Sequence, residues 1–561
     1  MALFSLVVVT FSGALISGQQ GQILAGARSR ASYLAEEGLE AVRNIRDENF
    51  SNLSDGNHGL AISGNSWTLW GTEDKIDNNT FTRQIIISSL DANTKKIESK
   101  ITWQQNLQRS GQITLTTYLS NWDITIFEPG GSGGVLVYSS GGTTSDAIQY
   151  RVLDTDGNWS EAQATADIDP ATTNKHLRYA RVFSSATRNE KILVSRHYNG
   201  SAQFIYAQVF NGSGWGSLQL LSNWNSTANL DVKNLSGTYL NNGNFMVVYS
   251  DNTTTPKYRI WDGSSWSASS LSTNNIGGIP NHLVVKARAG TDEVMAAFLG
   301  QANDTNTLYY NGSSWSTATE HATATTSATK EMVDFAWSPN NPLIGGLVYA
   351  NNKNDRNINI KIWTADGSGG GSWSATADSS NQSANLGALT IAGRKGADEF
   401  IACDKNAAST PQIICYQSSF APAWSDPVNQ TIATSTDTGI QKSYDIGYEA
   451  NSGELALGVY SDTSAIPKLK KYDSATTTWD ASPVNITSVV SALETVTLIP
   501  KSDSDDIMIL MANTNQDIYS LVWDGANNAL FSTPAGKAFS AHGTSGCADT
   551  NFWFDFDWDR N

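Results

Sequence analysis

Lys257–Ser267 reads KYRIWDGSSWS. An alternating aromatic and apolar run meets Asp262-Gly263, and after two serines a Trp opens another short run, so the phrase reads as strand, tight turn, strand. It recurs along most of the chain. Copies stand at Asp156-Gly157-Asn158-Trp159, Asn211-Gly212-Ser213-Gly214-Trp215, Asn311-Gly312-Ser313-Ser314-Trp315 and, stretched by glycines, from Asp366-Gly367 to Trp373. Looser copies end at Trp424 and Trp479, and Asp524-Gly525 leads to Phe531. Successive Trp positions from 159 to 479 lie 56, 51, 49, 58, 51 and 55 residues apart. A period near 50 in a β pattern indicates stacked or radial units.

Each unit reads as four strands. First strands alternate, as in Leu177–Val182, His282–Arg288, Met332–Trp337 and Tyr444–Tyr448. Second strands are more continuously apolar, and runs of that kind are buried on both faces: Lys191–Ser195, Phe245–Tyr249, Glu293–Phe298, Leu347–Ala350, Glu399–Cys403, Glu454–Tyr460 and Ile507–Met511. The third strand precedes the Asp-Gly or Asn-Gly turn, and the fourth is expected to begin near the Trp. Four antiparallel strands repeated radially describe a β-propeller. Eight fourth strands predict eight blades, with seven as the alternative. The first unit opens at Val135 on a second-type strand, whereas Asn551–Arg560 (NFWFDFDWDR) matches a first strand. Residues 552–558 are therefore expected to complete the blade opened at 135, which removes two exposed edges.

Composition narrows the function classes. Charged residues make up 16 % of the 561, while 18 Trp and 19 Tyr supply bulky apolar surface. That balance suits an extracellular, mainly β protein. A net charge of −17 argues against a nucleic-acid partner, which needs a basic face. Three Cys exclude a disulfide-built scaffold and a Cys-based zinc site. Cys403 and Cys415 read as neighbours on one hairpin, a spacing that allows a cross-strand disulfide and leaves Cys547 over.

The N-terminus is different. Ala2–Ile16 (ALFSLVVVTFSGALI) is uncharged, yet short of the ~20 residues that span a bilayer. The pattern runs on without Pro through Arg46, and Leu24, Ala27, Ala31, Leu34, Gly38, Ala41 and Ile45 recur every three or four residues as one helical stripe. An ordinary amphipathic helix is the plain reading.

Ala27–Phe50, ARSRASYLAEEGLEAVRNIRDENF, resembles the second half of the N-terminal helix of type IV pilins and pseudopilins. The resemblance continues over Gly59–Trp70, Phe81–Ser89, Lys96–Gln104 and Gln112–Trp122, which look like the short strands after a pilin helix, and it covers roughly residues 1–125. Such pilins carry a Glu at the fifth mature position behind a leader; here that position is Ser5, and the chain is expected to start at an internal Met. The resemblance implies a helix, represented by Leu3, Leu6, Val8, Phe11, Leu15, Leu24, Leu34 and Ile45, held by the cytoplasmic membrane before assembly and packed against other pilin-like subunits in a filament afterwards. The expected organisation is a helix over 1–50, a small β-domain over 51–122, a Gly/Pro linker over 123–134 and the propeller over 135–561. Source is expected to be prokaryotic and location the cell surface.

Catalytic chemistry is hard to find. The Asp-Gly-x-x-Trp phrase resembles a degenerate sialidase Asp-box and the repeat of fucose-binding propeller lectins. In the bland reading Asp or Asn supplies the turn, and the Trp of each repeat (Trp159, Trp215, Trp266, Trp315, Trp373, Trp424, Trp479) packs between blades. Six scattered His show no ligand spacing, and Asp154-Thr155-Asp156-Gly157-Asn158 lacks the distal Glu of a calcium loop. No nucleophile elbow, P-loop or dinucleotide fingerprint is present. No enzyme activity, metal or cofactor is expected. The leading expectation is a pilin-like filament or tip subunit presenting a propeller for adhesion, with a surface glycan or a protein as ligand. Two alternatives stand: a sialidase-like, glycan-active propeller enzyme, and a pseudopilin contacting the cargo of a secretion system.

Overall fold

The computed structural model describes residues 2–48, 50–64, 66–91, 94–106, 108–120, 133–139, 148–154, 157–165, 176–230, 232–267, 271–325, 331–419, 430–436, 442–464, 466–487, 489, 492–513, 517–530, 537–541 and 554–560. The chain forms two compact units, Met1–Ile126 and Phe127–Asn561. Linker residues 123–132, together with Trp424, Phe531 and Cys547, lie outside the described residues.

In the first unit one helix runs from Ala2 to Glu48. Its run of Ala, Leu, Glu and Arg without Pro favours that length. Its two halves have different surroundings. Ala31, Leu34, Ala35, Val42 and Ile45 are buried, facing Ile85, Ile97, Ile101 and Trp103 of an antiparallel sheet. Gly38 lets helix and sheet close up, since a Cβ there would come within 2.5 Å of Ser99 Oγ. By contrast Phe4 (75 %), Leu6 (64 %), Val8, Phe11 and Leu15 are exposed, as is Leu24. The side chain of Leu3 is outside the described set.

The sheet runs in the order Ser66–Trp70, Gly56–Ser63, Phe81–Asp91, Thr94–Asn106 and Arg109–Ser120, with Asp74–Ile76 also paired to Phe81–Asp91. The stretch read as one strand over 59–70 is thus a hairpin, in which Gly59 pairs with Trp70. Among the described residues no helix is long and apolar enough to cross a membrane.

The second unit holds, among its described residues, eight antiparallel sheets of four or five strands. Each is a meander, for example His176–Ser184, Lys191–Tyr198, Ala202–Phe210, Gln219–Asn225. Second strands such as Phe245–Tyr249, Glu293–Gly300 and Ile507–Asn513 are buried throughout. The first strand of each sheet packs against the first strand of the next, all the way round. One sheet joins the chain ends: Phe554–Trp558 pairs with Gly134–Tyr138, Phe554 opposite Tyr138 and Trp558 opposite Gly134.

At Trp373 and Trp479 a strand paired to the third lies where expected, but four other fourth strands differ from expectation. Trp159, Trp215, Trp266 and Trp315 make only a single bridge to the end of the third strand, at Leu153, Phe210, Trp261 and Tyr310. The fourth strands themselves begin later, at Gln163, Gln219, Leu271 and Thr319. Turn chemistry accompanies the offset: Asp154, Asn211, Asp262 and Asn311 fold the chain back on itself before the ladder can resume. Asp262 Oδ1 accepts hydrogen bonds from the N–H groups of Ser264 and Ser265, and Asn311 Oδ1 does the same for Ser313 and Ser314.

Gly157, Gly212, Gly263, Gly312 and Gly367 have positive φ, 96° at Gly263, whereas Gly525 after Asp524 does not. A Cβ at Gly263 would also approach Arg188 Cζ to 3.1 Å. Gly263→Ala is therefore expected to cost about 1–2 kcal/mol, as L-residues do in this region, measured by urea unfolding. An unchanged midpoint would contradict the turn assignment.

Candidate functional site: the axial cavity

The repeated tryptophans are read from sequence as packing between blades, with a ligand-facing role as the alternative. All six described ones are half-buried, and each packs against the preceding sheet. Trp215 meets Tyr150 edge-on at 5.8 Å, Trp315 meets Tyr258 at 5.7 Å and Trp373 meets His321 at 4.8 Å between ring centres. Trp159 Nε1 donates to Ser520 Oγ at 3.1 Å. Trp266 lies against a cluster with Ile192 and Ile205, and Trp479 against one with Ile401 and Ile432. They serve as wedges between sheets. The serine after four of them is a further repeat that sequence reading missed: Ser160, Ser267, Ser316 and Ser374 accept from the N–H groups of Val152, Ile260, Tyr309 and Ile362. Cys403 and Cys415 stand directly opposite in register, bonded, with Cα atoms 4.1 Å apart.

The functional interest lies on the axis. First strands surround a cavity of about 650 Å³, within the usual range for small-ligand sites of about 300–1,000 Å³. Charge lines it, although the strands are otherwise apolar. Arg181 Nε donates to Asp555 Oδ2 at 2.9 Å, Lys233 Nζ lies 2.7 Å from Glu331 Oε1, Lys442 Nζ 3.1 Å from Asp445 Oδ1, and Arg560 3.3 Å from Asp557. Lys233 with Glu331 and Lys442 with Asp445 are largely buried on both sides, and such charges persist only when paired; Arg560 is exposed.

Several of the acids also join neighbouring sheets. Asp555 accepts from Val182 N–H at 2.9 Å, Asp334 from Ile391 N–H at 3.1 Å and Asp445 from Leu498 N–H at 2.9 Å. One turn of chain earlier the carbonyls of Lys233, Glu331 and Lys442 accept from Leu283, Leu389 and Val496. These links recur at every second sheet. The same two-sheet period shows in Trp159, Trp266, Trp373 and Trp479, which are 107, 107 and 106 residues apart.

Burial and neighbours set the protonation states. Burial pushes Glu331 up, but Lys233, Lys442 and His282 more than offset it and hold its carboxyl near 2. For Lys233 burial wins over Glu331, and Lys442 and Arg181 add repulsion, so its ammonium falls to about 8. The two partners differ because Glu331 faces several cations and Lys233 essentially one anion. Burial also takes His282 down to about 4, leaving it neutral at pH 7. No group of three or more potential metal ligands occurs among the described residues.

None of these axial residues was singled out from sequence. The signal was nonetheless present, as an Asp between aromatic or apolar neighbours within a strand: Val333-Asp334-Phe335, Tyr444-Asp445-Ile446 and Phe554-Asp555-Phe556. Such an Asp is costly unless partnered.

Meandering antiparallel sheets packed in a ring about an axial cavity define a β-propeller. No protein-family model matches the chain, and no curated protein sequence does. Solved structures do show a likeness. A lectin from Burkholderia pseudomallei is 11 % identical with a TM-score of 0.45, the match covering 64 % of this chain and 99 % of that one. A lectin from Aleuria aurantia in complex with Fucalpha1-6GlcNAc is 12 % identical with a TM-score of 0.34, covering 66 % and 98 %. A periplasmic gluconolactonase from Pseudomonas aeruginosa is 10 % identical with a TM-score of 0.36, covering 64 % and 96 %.

Proposed function

We propose that this chain is a pilin-like stalk joined to an eight-bladed propeller, and that it presents the propeller at a cell surface to bind a sugar or a surface protein. The observation that carries the reading is the two-sided character of one 47-residue helix. Its second half is buried on a small antiparallel sheet, while its first half exposes Phe4, Leu6, Val8, Phe11 and Leu15. A contiguous apolar surface on a stalk calls for a partner. Like helices of other copies, or the interfacial region of a membrane before assembly, supply the same apolar surroundings. The eight blades are the eight sheets read as one ring, with Phe554–Trp558 as the last inner strand. Sugar binding is assigned to the axial cavity, not to the tryptophans, because the latter are used between sheets.

Partitioning tests the stalk. The full chain is expected to enter the detergent phase of a cloud-point separation, and a chain beginning at Gly26 to stay in water. The cut cannot fall at Ser51, because Leu34, Val42 and Ile45 belong to the core of the first unit. Val8→Asp should release the full chain, since a charge at the centre of such a segment costs roughly 2.5–3.5 kcal/mol on insertion scales. Partitioning unchanged by Val8→Asp would defeat the assignment.

A further inference from the structure

Resting on the sugar-binding reading of the axial cavity, we infer that its ligand is a sugar acid, whose carboxylate is held by Lys286. Position in the repeat sets Lys286 apart. Four alternate sheets end their first strands with the same backbone link, from Ser185 to Glu190, Arg288 to Glu293, Arg394 to Glu399 and Lys501 to Asp506. Two residues before each link stand Phe183, Lys286, Ala392 and Ile499. Three of the four are apolar. A lysine at this place has no part in the repeat's own packing.

Nor does the fold neutralise it. Arg181, Lys233, Lys442 and Arg560 each have a carboxylate within 4 Å, at Asp555, Glu331, Asp445 and Asp557. Lys286 makes no ion pair among the described residues; of the other cations lining the cavity, the exposed Lys395 shares this. The acid that acts on it most strongly is Asp334, whose carboxylate accepts from the N–H groups of Phe335 and Ile391. The Lys286 side chain is ringed by first strands yet open to the cavity. Its backbone is pinned by Trp337 Nε1, which donates to the Lys286 carbonyl at 3.0 Å. A fixed, unpaired ammonium in a confined space is a site for an anion.

Hydroxyl groups fix the rest of the ligand. Ser236 and Thr497 face the same cavity from other sheets, and their hydroxyls have no partner among the described residues. His282 also lines the cavity and is 8 % exposed; its Nε2 meets Val333 O at 3.2 Å, while Nδ1 is without a partner among the described residues. A ligand that matches this lining carries one negative charge and several hydroxyls. A bare oxyanion would satisfy Lys286 but make no use of the two hydroxyls and leave the buried His282 Nδ1 unpaired.

Calorimetric titration of the full chain with D-glucuronate, D-glucose and inorganic phosphate tests the inference. Glucuronate is expected to bind at least tenfold more tightly than glucose, with phosphate weaker than glucuronate. Lys286→Met, which places at 286 the kind of residue that three equivalent positions already hold, should abolish the preference, and Lys286→Arg should keep it. Glucose bound as tightly as glucuronate, or a preference that survives Lys286→Met, would overturn the inference and leave the sugar-binding reading standing. Phosphate bound as tightly as glucuronate would overturn the sugar acid in favour of a plain oxyanion. Absence of binding to any sugar would remove both.

Discussion

Phe556→Ala is expected to lower the unfolding free energy of the second unit by about 3–5 kcal/mol, the cost of emptying a core aromatic position. Phe556 is 2 % exposed, meets Trp159 and Trp558 edge-on at 5.9 and 5.0 Å, and closes over Gly134. It sits in the strand that joins the two chain ends, so the loss falls on the seam of the ring. The same strand carries Asp555, the partner of Arg181, and Asp557, which accepts from Ser184 N–H at 2.7 Å. Urea unfolding with an unchanged slope is the measurement. A loss below 1 kcal/mol would mean that Phe554–Trp558 is not integral to the ring.

Glu331→Gln should cost a similar amount. The carboxylate sits 2.7 Å from Lys233 and also faces Lys442 and His282, so an amide leaves buried cations uncompensated, a loss of about 3–5 kcal/mol. The pH dependence gives a second reading. Glu331 near 2 lies below the ordinary 4.5, so the folded state binds its proton less readily than the unfolded chain. Its contribution is complete above pH 4.5 and is lost as pH falls toward 2. Lys233, at about 8 and below its ordinary 10.5, acts in a different window: stability rises with pH from about 8 to 10.5. The wild type should therefore lose more stability between pH 4.5 and 2 than Glu331→Gln does. Replacing Lys233 and Glu331 together by Met should recover much of the single-variant loss, because the unpaired charge goes with its partner. Parallel acid-unfolding curves for wild type and Glu331→Gln would refute the role of the pair.

Periodicity is a local property, and the sequence by itself determined what periodicity controls. Runs such as Phe245–Tyr249 are apolar throughout because both faces are covered, and they are strands in the structure with all five residues buried. Asp-Gly and Asn-Gly mark turns because a positive φ favours Gly, and the turns lie there. The stripe through Leu34 and Ile45 is likewise the buried face of the helix. What tertiary structure alone decided is which residues share a volume. The role of each Trp depends on a neighbouring sheet, about 50 residues away for most and 361 for Trp159 and Ser520, so its ring could be read as wedge or as ligand platform until that sheet was in place. The axial charges are the stronger case: Arg181 and Asp555 are 374 residues apart, and no spacing rule links them. They meet because ring closure brings the last strand beside the second sheet, and burial there makes a pair, or the absence of one at Lys286, matter energetically.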